Sequence, residues 1–144
     1  DYKKYDVEIF EFSNLQIGYA EDDDICFNIP VDSIDYGEKI AAYYFWIFPN
    51  MMFNFYPWGL SVNIVKPIST KKTEIEFKTF VWDESKLQNG AGADLDKVEL
   101  EDEEIVQRVQ KGVGSRFYKQ GRFSPNMEKG VHHFHMLISK FMFK

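Results

Sequence analysis

Thiol chemistry is almost absent from this chain, whose 144 residues include one cysteine, Cys26. A single thiol excludes an internal disulfide framework and a thiolate zinc cluster, and it suits a reducing, cytoplasmic setting. Histidine is nearly as scarce: all three stand close together, at His132, His133 and His135. No GxGxxG, P-loop or GxSxG sequence occurs, so the familiar nucleotide loops and the serine-nucleophile elbow are lacking. The longest uninterrupted apolar run, Ile40 to Phe48, is nine residues, against the roughly 20 that a spanning helix needs. No basic start leads into an apolar core, so neither membrane insertion nor secretion is indicated. The chain begins at Asp1 rather than Met, which sets the expectation of a fragment or processed product.

What the chain does have is aromatic area and an uneven charge. It carries 14 Phe, 8 Tyr and 3 Trp, 17% of its residues, enough to imply a large core or an apolar pocket. The net charge of −6 conceals an asymmetry: residues 1–104 hold 22 acids and 9 bases, residues 105–144 hold 1 acid and 8 bases. Arg108, Lys111, Arg116, Lys119 and Arg122 are too dispersed to form a nucleic-acid-binding block.

The first two thirds read as strands. Val7 to Phe12 alternates and breaks at Ser13-Asn14, and the acidic run Glu21 to Asp24 reads as a solvated turn between two strands. Without the glycine and distal glutamate of an EF-hand, that run is no calcium loop. Ile25 to Ile29 is a short apolar segment ending at Pro30. Ile40 to Phe48, Met51 to Tyr56 and Leu60 to Lys66 are separated by Pro49-Asn50 and Pro57-Trp58-Gly59, which predicts an antiparallel meander. Thr73 to Trp82 has the clearest period of two. Nine aromatics fall between Tyr43 and Trp58, and Met51, Phe53 and Phe55 make one face of their strand wholly apolar. After the NGAGA loop at Asn89 to Ala93 the period becomes helical over Asp96 to Lys111. A final helix runs from Gly130 or Val131 to Phe143, with Val131, Phe134, Leu137, Ile138 and Phe141 as the stripe meant for the sheet.

Asp102 is the most informative position. At about 100° per residue, Val98, Ile105, Val106, Val109 and Val113 project within roughly 60° of it, so it stands at the centre of an apolar stripe. Such a carboxylate is costly to bury unless it binds a metal or pairs with an arginine or lysine, and both readings stand. The three histidines lack the i, i+4 spacing of a zinc helix pair, so structural roles fit them better. Cys26 has no histidine near it in sequence to act as a base.

Together these segments carry a resemblance. Val98 to Ser115 (VELEDEEIVQRVQKGVGS) followed by Tyr118 to Ile138 (YKQGRFSPNMEKGVHHFHMLI) resembles the C-terminal end of Rieske-type non-haem iron ring-hydroxylating oxygenase alpha subunits, in the branch of choline and carnitine monooxygenases. Tyr43 to Ser69 (YYFWIFPNMMFNFYPWGLSVNIVKPIS) is similar to strands of the same catalytic domain. The resemblance implies an α+β helix-grip fold, a curved antiparallel sheet around a long C-terminal helix. It also implies a mononuclear Fe(II) held by two histidines and one carboxylate, with Asp102 as that carboxylate, while the HHFH stretch is structural.

The chain departs from the family in having no histidine before His132 and neither the second cysteine nor the histidines of a Rieske 2Fe-2S cluster. It is therefore expected to be one partial catalytic domain over residues 1–144, without the Rieske domain and supplying at most one of the three iron ligands. The parent is expected to hydroxylate or demethylate a small aromatic or quaternary ammonium substrate with dioxygen and electrons from a reductase or ferredoxin, as a cytoplasmic homo-oligomer without nucleic-acid or membrane partners. Phe53 and Phe55 are expected to wall the substrate pocket. The alternative is a non-enzymatic helix-grip module that binds a small hydrophobic ligand.

Overall fold

The computed structural model describes residues 5–21 and 24–143. Six strands form one antiparallel sheet in their sequence order: β1 (Tyr5–Ile9), β2 (Ser13–Tyr19), β3 (Ile40–Ile47), β4 (Met51–Tyr56), β5 (Gly59–Ser69) and β6 (Lys72–Val81). Two helices follow, α1 (Leu95–Val113) and α2 (Lys129–Met142), so the chain is α+β as expected. No helix among the described residues is long and apolar enough to cross a membrane.

Short connections make neighbours of successive strands. Pro57-Trp58 alone joins β4 to β5, and Gly59 then lets β5 run close to β6. A Cβ at Gly59 would sit 2.3 Å from the Phe80 carbonyl oxygen, so no larger residue fits without moving backbone. Two expectations near the start are corrected. The first strand stops at Ile9, and Ser13-Asn14 opens β2 instead of closing β1; the Phe10 amide donates to the Ser13 carbonyl at 2.9 Å across the hairpin turn. Burial of Leu15 and Ile17 holds β2 in place despite its polar alternate positions. Ile25 to Ile29 is not a strand. Phe27 donates from its amide to the Ile40 carbonyl at 2.9 Å and packs on Tyr43. Asp22 and Asp23, within the acidic run read as a turn, lie outside the described residues.

The register sorts side chains onto two faces. Leu15, Ile17, Tyr43, Phe45, Phe53, Phe55 and Val62 share one, where Phe27 and Ile29 pack on Leu15, Ile17 and Ile40. Gly18, Ala42, Tyr44, Trp46, Met52, Asn54 and Ser61 share the other. Helix α2 lies on that second face as its stripe predicts: Phe134 meets Trp46 edge-on at 4.9 Å, Phe141 stacks on Phe48 at 5.0 Å, and Leu137 is buried. β6 is an edge strand exposed along nearly its whole length.

Candidate functional site

Helix α1 is anchored only at its root. Leu95 packs with Leu87 and Ala91 over Ala42, Tyr56 and Trp58, and the helix then leaves the sheet. Val98, Ile105, Val106, Val109 and Val113 are all roughly half exposed, and Asp102 is exposed with them. The stripe expected to aim Asp102 into a core is thus present in the helix but open to solvent. The buried ion pair is overturned for the same reason. Arg108 instead binds Glu104 one turn away on the helix surface, and Arg116 lies over the Phe117 ring at 4.8 Å.

Nearer the sheet, polar groups converge at positions that carry no sequence motif. Gly18 has no Cβ, and one built there would sit 3.3 Å from the Tyr5 ring and 3.4 Å from the Tyr44 ring. The two phenols therefore approach each other over a glycine. Tyr44 meets Tyr56 edge-on at 5.9 Å, and each phenol acts on the other's ionisation. Tyr56 in turn stacks on Trp58, whose Nε1 donates to the Ala91 carbonyl at 3.2 Å. Glu99, in the second turn of α1, is close enough to Tyr56 to act on its ionisation. Burial pushes Tyr44 up to about 12, with Tyr5 adding to the shift. Tyr56 is raised further by burial, then by Tyr44 and Glu99. Both phenols stay neutral at physiological pH, and Glu99 stands three residues along α1 from Asp102.

Phe53 and Phe55 project to the opposite face, where Phe55 packs edge-on against Phe45 at 6.0 Å. Sequence reasoning took the apolar face of β4 for the pocket wall. The aromatics at the root of α1 are Tyr56, on the alternate positions of β4, and Trp58 in the turn after it.

A cleft of about 440 Å³ opens beside this cluster, between the first half of α2 and the sheet. Trp46, Met52, Val131 and Phe134 supply its apolar walls, with Gln16 and Asn50 among its polar groups. No charged side chain among the described residues lines it. Asn50 is fixed at the rim, donating from Nδ2 to the Val65 carbonyl at 2.8 Å and accepting from the Val65 amide at 2.9 Å.

No three His, Cys, Asp or Glu side chains among the described residues lie close enough to hold a metal ion. Two of the histidines pack on one ring: Phe123 meets both His132 and His135 edge-on, at 5.2 and 5.1 Å. The donors of this chain by themselves therefore do not fit a mononuclear iron, which needs nitrogen ligands beside the carboxylate. With one cysteine, they do not fit a Rieske cluster either.

The family model for the ring hydroxylating alpha subunit (catalytic domain) matches residues 32–143. The chloroplastic choline monooxygenase of Arabidopsis thaliana is 33% identical over 102 residues, covering 67% of this chain and 24% of that protein. That of Spinacia oleracea is 29% identical over 107 residues, covering 70% and 24%. The chain thus spans about a quarter of the length of these curated relatives. The crystal structure of the quaternary ammonium Rieske monooxygenase CntA superposes with a TM-score of 0.70 at 22% identity, over 98% of this chain and 38% of that one. At that identity the likeness is one of fold.

Proposed function

The chain belongs to the ring hydroxylating alpha subunit (catalytic domain) family, and from that premise we propose that it is the C-terminal part of the catalytic domain of a Rieske-type non-haem iron oxygenase. The parent enzyme carries out dioxygen-dependent hydroxylation or demethylation of a small organic molecule. Its electrons come from a reductase or ferredoxin, and it works as a cytoplasmic homo-oligomer. Asp102 is the one carboxylate this chain contributes to a mononuclear Fe(II), while the histidine ligands and the 2Fe-2S cluster belong to other parts of the complete protein. The open valine stripe around Asp102 supports this reading, because exposed apolar patches mark surfaces that a partner covers. Helix α2 on the sheet supports the helix-grip arrangement.

A quaternary ammonium suits the site better than an aromatic ring. The observation that carries this is the Tyr44–Tyr56 pair near the root of the helix that bears Asp102, where the Glu99 carboxylate acts on Tyr56. Aromatic rings attract a cation through their negative faces, and a carboxylate adds to that attraction. A neutral arene gains nothing from the carboxylate. The relatives whose names state a substrate, the choline monooxygenases and the quaternary ammonium monooxygenase CntA, point the same way.

The test is made on the complete protein with a reductase. Dioxygen uptake coupled to choline is expected, with none on its neutral isostere 3,3-dimethylbutanol. Equal uptake with the isostere would overturn the ammonium preference. Asp102→Asn is expected to keep the fold by circular dichroism and lose its iron by elemental analysis; retained iron would overturn the ligand assignment.

A further inference from the structure

The two edges of the sheet differ in what they offer. β1, at one edge, is five residues long, and its charged side chains, Asp6 and Glu8, are both acidic, so two copies of it would repel. β6, at the other, is ten residues long and exposed along nearly its whole length, the kind of edge that pairs with another strand unless something covers it. Hydrogen bonds at its end and on its neighbour assign its free backbone groups. The Trp82 amide donates to the Trp58 carbonyl at 3.0 Å, and the Val65 amide turns away from β6 to the Asn50 carbonyl at 2.9 Å. Backbone groups alternate along a strand. The even-numbered residues of β6 therefore bond to β5, and the odd-numbered ones, Thr73, Ile75, Phe77, Thr79 and Val81, turn their amides and carbonyls outward. Pro67, which has no N–H to give, accordingly stands opposite Thr73.

We propose that β6 pairs antiparallel with β6 of a second copy of this chain, about a two-fold axis at Phe77, joining two sheets into one. The charges select that register. A two-fold at Glu76 or at Lys78 sets that residue opposite itself, and one at Ile75 sets Glu74 opposite Glu76 and Lys72 opposite Lys78. Like charges placed so are destabilising. At Phe77 none stand opposite: Glu76 faces Lys78 of the second copy, Lys78 faces its Glu76, and the two Phe77 rings meet on the other face. The outward backbone groups meet as well, since Phe77 opposes Phe77 and Ile75 opposes Thr79. Phe77 and Ile75, 42% and 39% exposed in the single chain, gain cover there. Lys66 and Lys78 already bind Glu76 at 2.6 and 2.9 Å, so the pairing joins two existing chains of ion pairs. Exposed ion pairs add little affinity singly. Their part is to exclude other registers, while backbone bonds and apolar pairs hold the strands together. The inference stands on this strand alone and is independent of the oxygenase reading.

The experiment is sedimentation velocity of the 144-residue chain over a concentration series, in which a dimer is expected to form. Glu76→Lys and Lys78→Glu each set like charges opposite and should weaken dimerisation about tenfold or more, with the fold unchanged by circular dichroism. An equimolar mixture of the two variants restores opposite charges across the axis and should dimerise again. With Cys26→Ser as background, Phe77→Cys should give a disulfide-linked dimer on mild oxidation and Thr79→Cys should not, because only position 77 meets itself. A chain that stays monomeric at every concentration would overturn the proposal. A dimer indifferent to both charge changes would overturn it too, by placing the interface elsewhere, such as on the valine stripe of α1. A mixture that fails to reassociate, or a cross-link at position 79 instead of 77, would overturn the two-fold at Phe77.

Discussion

The phenol of Tyr56 lies flat on the indole of Trp58, with ring centroids 5.1 Å apart and planes 9° from parallel. This pair ties the β4–β5 turn to the loop ahead of α1. Leu87, Ala91 and Leu95 pack over it, and the Trp58 ring nitrogen donates to the Ala91 carbonyl. The position of Glu99 and the direction in which Asp102 leaves the sheet therefore depend on a stacked pair on the sheet.

Gly92 should be the most sensitive residue of that loop. Its φ of +78° is one that L side chains rarely adopt, and a Cβ there would stand 2.9 Å from the Tyr56 ring. Gly92→Ala is expected to destabilise the chain by about 2 kcal/mol. Denaturant melts followed by tryptophan fluorescence check this, and a change below about 0.5 kcal/mol would contradict it.

Trp58 is fully buried and Trp82 is more than half exposed. Trp58→Ala should cost about 3–5 kcal/mol, Trp82→Ala well under half of that. Comparable losses for the two, measured by the same melts, would mean that the stack is not the anchor described.

The buried phenols set an alkaline limit. Tyr44 ionises at about 12 in the folded chain and Tyr56 is raised further, against 10 for an ordinary phenol. Between pH 10 and 12 the folded state keeps protons that the unfolded chain has lost. Stability is thus fully present below pH 10 and falls as pH rises through the folded value. Thermal melts from pH 9 to 12 should show that fall, and Tyr44→Phe should make it shallower. An unchanged slope would place the titration elsewhere.

Glu76 sets an acid counterpart on the sheet edge. Hydrogen bonds from Lys66 and Lys78, at 2.6 and 2.9 Å, hold its carboxyl at about 2, against an ordinary 4.5. Its contribution is present above pH 4.5 and is lost as pH falls toward 2. Glu76→Gln should flatten the stability profile within that window and change little at neutral pH, since the pair is exposed. A large loss at pH 7 would contradict this.

Asp102 is exposed in this chain, so Asp102→Asn should change the stability of the 144-residue chain by no more than about 0.5 kcal/mol. A loss of several kcal/mol in urea melts would reinstate a buried partner.

The periodic segments were legible because burial imposes a repeat on sequence. β4 begins and ends at Met51 and Tyr56 as its flanking prolines imply, and α2 buries the stripe read for it. β2 was missed because its Asn14, Gln16 and Gly18 positions look like turn residues. They are polar or small because they line the cleft or lie beneath the tyrosines.

By itself the sequence determined the α+β class, the meander, the two helices and the face of α1 on which Asp102 stands. Each of these follows from local periodicity and turn chemistry. What lies against a face is a long-range fact, and only the tertiary structure decided it. The same alternation along β4 offers Phe53 and Phe55 on one side and Tyr56 on the other, and strand pairing together with the Trp58 anchor brings Tyr56 to α1. The same stripe on α1 can be core or open surface. It is open here because, beyond Leu95, the helix runs away from the sheet that could have covered it.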